Sequence, residues 1–313
     1  MPPPLAAVLP GGGRVLSIQS HTVSGYVGNK CAVFPLQLHG FDVDPINSVQ
    51  FSNHTGYPTF KGDVLNGDQL WTLIEGLEEN DLLQYTHLVT GYIGSLSFLD
   101  TVLRVIEKVR TSNPKLIYVC DPVMGDNGAL YVKPELVPVY REKVVPQANI
   151  LTPNQFEAEQ LVQFSIASEK DAFRACEVLH SRGPQRVVIT SVHLNGEILI
   201  IGSQAAHGKF KALQFRIVVP KLPHSFTGTG DLMTALILAC ANENPDDLAR
   251  ATELAVASLQ AVIQRTIADY ALAGIPSGTK RGQLELRLIQ SKDDLIAPTV
   301  KLHAETIPSK VDS

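Results

Sequence analysis

Short apolar runs that read as buried strands recur along this chain with helical patterns between them, and that alternation restricts the fold more than any other feature. The runs are VLSIQ at Val15–Gln19, HLVTG at His87–Gly91, LIYVC at Leu116–Cys120, NILT at Asn149–Thr152 and VVIT at Val187–Thr190. Strands joined through helices pair side by side in parallel, with the helices covering the faces of the sheet. The expected class is therefore α/β with a mostly parallel sheet, although the pattern does not set the strand order. Helix boundaries are signalled by Ser95 before Phe98–Val109, Pro134 at the start of Glu135–Lys143, and Gly183-Pro184 after Ala172–Ser181.

No repeat or low-complexity linker divides Arg14 from Ile289. One domain is expected over residues 14–304, with a flexible Pro- and Gly-rich arm over 1–13. The chain after Lys292 reads as peripheral, ending in a tail over 305–313. The arm, MPPPLAAVLPGGG, lacks the charged start and long apolar stretch of a secretory signal. Leu232–Ala241 is the most apolar stretch and is far shorter than the ~20 residues of a membrane helix.

Composition narrows the partners. A net charge of −5 at pH 7, without a block of like charges, offers no footprint for nucleic acid or an anionic membrane, so a small dissolved molecule is expected. Cys31, Cys120, Cys176 and Cys240 are widely spaced, with neither zinc spacing nor a disulfide framework, which points to a reducing compartment, the cytoplasm.

In open parallel sheets ligands bind beyond the C-terminal strand ends. Here those ends are Ser20-His21, Thr90-Gly91, Asp121, Thr152-Pro153-Asn154 and Thr190-Ser191. The segment FTGTGDLMTALILA, Phe226–Ala239, adds a helix opening near Thr229. Gly228 and Gly230 permit close backbone approach, and the first amides of the helix form an anion nest for a transferring phosphoryl group. Asp231 stands at its rim, where an alcohol would be deprotonated. Alone, the same Asp would equally complement the positive helix end.

CDPVMGDNG, Cys120–Gly128, supplies Asp121 and Asp126, hard-oxygen ligands suited to Mg²⁺, though the segment also reads as an ordinary turn. LTPNQFEAEQL, Leu151–Leu161, supplies Thr152, Asn154, Glu157 and Glu159, candidates for a nucleotide site or for helix capping by Thr152. The N-terminal part offers a second site. Its first strand breaks into a polar, Gly-rich loop at Ser20–Gly28, and NSVQFSNHTGY, Asn47–Tyr57, sets polar residues between apolar ones. Tyr26, Phe51 and Tyr92 beside Ser20 and Thr55 could hold an aromatic ring, core packing being the other reading of each. His21 and His54 have no ligand spacing.

Together, RVLSIQSH, GYVGNK, NSVQFSNHTGY, YVCDPVMGD, YREKVVP, LTPNQFEAE, VVITS and FTGTGDL occur in the order shared by one family. From about Arg14 to near Ala304 the chain resembles the eukaryotic pyridoxal kinases of the ribokinase-like superfamily, the plant members most. The resemblance implies a three-layer αβα ribokinase-like fold, a homodimer, and ATP-dependent phosphorylation of the 5′-hydroxymethyl group of pyridoxal, pyridoxine and pyridoxamine. It implies Mg²⁺ or another divalent metal such as Zn²⁺, and a monovalent cation, K⁺ or Na⁺. Ser20, Thr55 and Tyr92 would face pyridoxal, with Val27 and Phe51 nearby. Asp121, Thr152 and Thr190 would surround the monovalent ion and the phosphates, and Asp126 the Mg²⁺. Asn154, Glu157 and Ser191 would take the nucleotide and its metal shell. Gly228, Thr229 and Gly230 would form the anion hole, with Asp231 the catalytic base.

Two stretches depart from the family pattern. DNGALY, Asp126–Tyr131, is short where animal relatives carry an acidic and aromatic insertion, so no role is carried onto Tyr131. VQFSIASEK, Val162–Lys170, lacks the expected glycine turn. The alternatives are a hydroxymethylpyrimidine or sugar kinase with other groups near Ser20 and Thr55, or a non-catalytic B6-binding regulator, which would tolerate loss of Asp231.

Overall fold

Successive residues of a strand face opposite sides of its sheet, and in this chain both sides are apolar. Leu16 and Ile18 join one buried cluster, while Val15 joins another. Both faces therefore need covering, and the intervening helices supply it. The computed structural model describes residues 13–206, 208, 212–222, 224–274 and 284–307.

The strands are β1 (Gly13–Thr22), β2 (Phe41–Phe51), β3 (Gly62–Val64), β4 (His87–Thr90), β5 (Ile117–Cys120), the small hairpin β6 (Gly125–Asp126) and β7 (Ala129–Leu130), β8 (Ile150–Leu151), β9 (Arg186–Leu194), β10 (Glu197–Gln204), β11 (Leu213–Val219) and β12 (Glu305–Ile307). The helices are α1 (Asn29–Leu38), α2 (Gly67–Glu79), α3 (Leu96–Ser112), α4 (Leu136–Val139), α5 (Gln155–Val162), α6 (Glu169–His180), α7 (Thr229–Glu243), α8 (Leu248–Leu272) and α9 (Lys292–Ile296).

The main sheet has the order β12-β11-β10-β9-β8-β5-β4-β1-β2-β3. Its centre, from β2 through β9, is parallel, and the antiparallel additions lie at the two edges. Leu16, Leu88, Tyr118, Leu151 and Val187 pack with Leu70 and Ile74 of α2, Val102 and Ile106 of α3, Leu161 of α5 and Phe173 of α6. Val15, Val89, Val119, Ile150 and Val188 pack instead with Cys31 of α1, the length of α7, and Ala251 and Ala255 of α8. These are the three αβα layers of the ribokinase-like fold.

Every residue from Leu232 to Ala241 of α7 is buried. A helix apolar all round belongs in a core, so the body of α7 is fixed against the sheet behind its more exposed first turn. Truncating its fully buried Leu236 to alanine should cost about 2–5 kcal/mol. Ser95 caps α3 by accepting from the Phe98 amide, and Ser168 caps α6 likewise from Asp171.

Several expectations need correction. The first strand does not break at Ser20. It runs to Thr22, with a bulge where Ser20 alone stands opposite Ser48 and Val49 of β2, Gln19 facing Asn47 and His21 facing Gln50. The segment expected as one helix over Glu135–Lys143 is a short α4 followed by a π-helical turn over Tyr140–Val144. After α5, Gln163 takes the left-handed conformation, φ 64°, that a glycine would ordinarily supply.

The chain beyond Lys292 is not wholly peripheral, because α9 buries Leu295 completely. The sheet also continues past residue 304. Arg216 and Glu305 face one another across β11 and β12, and the Arg216 guanidinium donates to the Glu305 carboxylate at 2.8 Å. Apart from Gly13, the N-terminal arm lies outside the described residues, as does the tail from 308. Among the described residues, no helix is long and apolar enough to cross a membrane.

Candidate active site

The parallel strands β1, β4, β5, β8 and β9 all point their C-terminal ends to one edge of the sheet, and α7 begins there. Two cavities open along that edge. One, of about 380 Å³, is lined by Asp121, Asp126, Thr152, Asn154, Glu157, Thr190 and Ser191 together with the whole run Thr227–Asp231. The other, of about 420 Å³, is lined by Ser20, Val27, Phe51, Thr55 and Tyr92. Asp231 and Thr227 line both, so the cavities meet at the start of α7.

Gly228 caps α7 in the left-handed region, φ 87°, and a β-carbon there would fall 2.2 Å from the Tyr26 carbonyl oxygen and 2.9 Å from Cys31 Sγ. Only glycine lets the helix start so close to the Tyr26 loop. That loop also reaches Asp231 directly, the Gly28 amide donating to Oδ2 at 2.8 Å. Burial raises the Asp231 carboxyl pKa to about 6, and the Gly28 bond opposes the rise.

Asp121 is buried at the end of β5, and Thr234 Oγ1 donates to its Oδ2 at 3.2 Å. Thr234 Oγ1 also lies 2.8 Å from Thr152 Oγ1, tying β5, β8 and α7 together. Asn154 and Glu157 form a capping box at the start of α5, so the cap is Asn154, not Thr152. Glu157 additionally accepts from the Met124 amide at 3.0 Å, and Asn154 Nδ2 donates to the Gly125 carbonyl at 2.8 Å. The box therefore pins the base of the β6–β7 hairpin as well as capping a helix. Asp126, in that hairpin, accepts from the Asn127 amide at 2.8 Å.

Thr190 and Ser191 do not end β9. They sit together opposite Ile200 alone, two residues of β9 to one of β10, a bulge of the kind that re-aims side chains beside a site. Burial pushes Asp121 well above the ordinary carboxylate range, reinforced by the charges of Glu157 and Asp231. Burial likewise lifts Glu157 to about 8, against hydrogen bonds from the Asn154 and Met124 amides. Buried acids held this way favour a cationic ligand that offsets their charge. Among the described residues, no three His, Cys, Asp or Glu side chains form a ready-made metal cage. Mg²⁺ needs none, since it commonly takes one or two carboxylates and completes its shell with phosphates and water.

In the second cavity the Phe51 ring packs on Phe60, centroids 5.0 Å apart, and Val27 and Val49 complete an apolar lining. Tyr26 does not belong to it. Its ring lies beneath the Lys30 ammonium, 5.2 Å from the centroid, and its backbone serves α7 instead. Residues of the second cavity that were not anticipated are Thr22, Val49, His54 and Phe60, together with Val123, Tyr131 and Thr227, which reach both cavities. Thr234 was also missed, although its spacing three residues after Asp231 sets it on the same face of α7.

A glycine-capped helix N-terminus and buried carboxylates at a parallel-sheet edge, joined through one Asp to a second, apolar cavity, define a kinase of the ribokinase-like class. The phosphomethylpyrimidine kinase family model matches residues 83–274. The chain is 63% identical to the pyridoxal kinase of Arabidopsis thaliana over 305 residues, covering 97% of this chain and 98% of that one. It is 46% identical to the pyridoxal kinase of Homo sapiens over 308 residues, with 94% and 98% covered. The structure of pyridoxal kinase from Leishmania donovani in complex with ADP and pyridoxamine superposes with a TM-score of 0.86 at 37% identity, covering 94% of this chain and 99% of that one. The chain belongs to the pyridoxal kinase family.

Proposed function

We propose that this chain transfers the γ-phosphoryl group of ATP to the 5′-hydroxymethyl group of pyridoxal, and of pyridoxine and pyridoxamine, a salvage step that yields pyridoxal 5′-phosphate and its relatives. The observation that carries this reading is the position of Asp231, which lines both cavities and stands in the first turn of α7. Asp231 takes the hydroxyl proton, and the attacking oxygen meets phosphorus across the boundary between the cavities. The unpaired amides at Gly228, Thr229 and Gly230 stabilise charge on the transferring group, aided by the positive helix end.

On the nucleotide side, Asn154, Glu157, Thr190 and Ser191 hold ATP and its metal shell. The donor chemistry fits a divalent metal such as Mg²⁺ or Zn²⁺, which Asp126 and Asp121 would hold and which would supply charge neutralisation to the phosphates. A monovalent cation, K⁺ or Na⁺, fits beside Asp121, Thr152 and Thr190. In the second cavity, Ser20 and Thr55 hydrogen-bond the polar edge of the pyridine ring, and Val27, Phe51 and Tyr92 pack on it. Support comes from the Leishmania donovani enzyme, whose structures are described as complexes of ADP with pyridoxamine and with pyridoxine. Four free, buried cysteines suit a reducing compartment, and we place the enzyme in the cytoplasm as a homodimer.

A phosphomethylpyrimidine-type activity is the second reading, favoured by the description of the matching family model. That match begins at residue 83 and leaves Ser20, Val27, Phe51 and Thr55 outside it, so the groups proposed to select the substrate favour pyridoxal. Incubating the purified protein with Mg-ATP and each of pyridoxal, hydroxymethylpyrimidine and ribose separates the readings. Phosphorylated pyridoxal is the expected product, and turnover of either other substrate alone would overturn the assignment.

A further inference from the structure

One carboxylate outside the motifs described above joins a residue of the second cavity to the loop that leads to Asp231. Glu285 lies between Leu284 and Leu286, which are buried, and its own amide donates to the Tyr270 hydroxyl of α8 at 3.2 Å. Its Oε1 accepts from the Tyr57 hydroxyl at 2.8 Å and faces His54 Nε2 at 3.1 Å. Its Oε2 accepts from the Tyr26 amide at 3.0 Å.

The His54 ring is only 4% exposed and lines the cavity next to Thr55. His54 Nδ1 accepts from the Gly56 amide at 3.2 Å, which leaves Nε2 as the nitrogen that donates to Glu285. Tyr57 packs against the same ring at 4.7 Å. On the other side, a β-carbon at Gly25 would lie 2.5 Å from Glu285 Oε2, so the loop approaches the carboxylate as closely as a glycine permits. Two residues beyond Tyr26, the Gly28 amide holds Asp231.

We propose that Glu285 is a positioning residue for phosphoryl transfer, its one carboxylate fixing both the loop that carries Thr55 and the loop whose Gly28 amide orients Asp231. This rests on the kinase reading given above. Burial works against ionisation of Glu285, but hydrogen bonds from His54, Tyr57 and the Tyr26 amide outweigh it and hold the group below its usual pKa. Burial and the bond to Glu285 push the Tyr57 hydroxyl up to about 12, so it remains a donor at neutral pH. Three donors thus converge on an acceptor that stays charged.

Glu285→Gln keeps the size of the side chain but leaves a single acceptor oxygen, so at least one of the three donors loses its partner. Steady-state kinetics of the full-length chain, with ATP and pyridoxal varied in turn, test the proposal, and Tyr57→Phe serves as a gentler variant that deletes one bond. In Glu285→Gln, the KM for pyridoxal should rise and kcat fall, each several-fold to about tenfold, with the KM for ATP within about twofold of the parent. Tyr57→Phe should move pyridoxal KM in the same direction by less. A lowered Tm with unchanged kcat and pyridoxal KM in the folded variants would reduce Glu285 to a structural tie and overturn the proposal, as would equal increases in both KM values. If Glu285→Gln does not fold, an unaltered pyridoxal KM in Tyr57→Phe overturns it. Failure of the parent itself to phosphorylate pyridoxal would instead sink the kinase reading, and this proposal with it.

Discussion

The Gly28 amide donates to Asp231 Oδ2 at 2.8 Å across 203 residues of sequence, joining the loop after β1 to the first turn of α7. The bond bears on proton transfer as well as on packing. Burial favours the neutral acid at Asp231, and an amide pointed at the carboxylate favours the charged base. The balance sets the pKa at about 6, close enough to neutrality for the group to be mostly ionised at work yet still a useful proton acceptor.

Asp231→Asn should therefore retain binding of ATP and pyridoxal while losing turnover by about 10²–10⁴-fold, the usual contribution of a general base. For the parent enzyme, kcat/KM should fall as pH drops below about 6, where the base becomes protonated. Equilibrium binding measured beside kcat tests this, and a kcat within threefold of the parent would reject the role.

The same substitution should affect stability in the opposite sense. A carboxyl whose pKa is raised by folding, from 3.8 to about 6, binds its proton more tightly in the native state. The stability that proton confers is complete below about pH 4 and is lost as pH rises through about 6. Asparagine carries no charge to bury and can still accept from Gly28. The Tm of Asp231→Asn should thus match or exceed that of the parent at pH 7.5, with the gap closing below about pH 4. A variant less stable than the parent at pH 7.5 would contradict this.

Sequence pattern anticipated the parallel centre of the sheet because β1, β4, β5, β8 and β9 each contain a short apolar run punctuated by polar residues. It missed elements whose signals are mixed. β2 carries Asp42, Asp44 and Pro45 along its length, and β12 is a strand of three residues that only pairing with β11 defines. The hairpin from β9 to β10 turns at Asn195-Gly196, with Asn195 at φ 51°, a turn signal that was readable but unused. At the site, Asp121, Asn154 and Asp231 were legible because each follows a strand or opens a helix. Ser20 and Thr190 looked like strand ends because a bulge and a break leave the same polar residues in the sequence. Glu285 was out of reach, since its partner His54 is 231 residues away and no local period links them.

Gly228→Ala tests whether the opening of α7 tolerates any displacement. At φ 87°, with a new β-carbon 2.2 Å from a backbone oxygen, the substitution adds backbone strain to a clash that no side-chain rotation relieves. Destabilisation should exceed about 1 kcal/mol. Activity should fall further than stability accounts for, because the amides at residues 228–230 move with the helix start. Thermal denaturation together with kcat on the folded fraction reads both effects, and a variant with parental kcat would show that these amides are not where charge develops.

Ser20→Ala and Thr55→Ala should separate the two cavities functionally. Losing one hydrogen bond to a neutral partner costs roughly 0.5–1.5 kcal/mol, several-fold to about tenfold in kcat/KM for pyridoxal. Neither residue lines the nucleotide cavity, so the apparent KM for ATP should stay near its parent value. Variants that impaired ATP use and spared pyridoxal would reverse the assignment of the cavities.

The β6–β7 hairpin is the element best placed to respond to nucleotide. Only two residue pairs hold its strands together, Gly125 with Leu130 and Asp126 with Ala129, and its tip at Asn127 and Gly128 is exposed. Its base, by contrast, is fixed by Asn154 and Glu157, which tie Met124 and Gly125 to the start of α5. A weak ladder on a rigid base behaves as a flap, and Tyr131, 60% exposed, lines both cavities just beyond it. Closure over bound nucleotide would bring Asp126 to the phosphates and exclude water from the transfer. Amide hydrogen exchange over residues 123–132 should accordingly slow on adding saturating Mg-ATP, while the buried amides of α3 exchange as before. Unchanged exchange in the hairpin would leave it a static turn, with Asp126 meeting metal and phosphates only where it already stands.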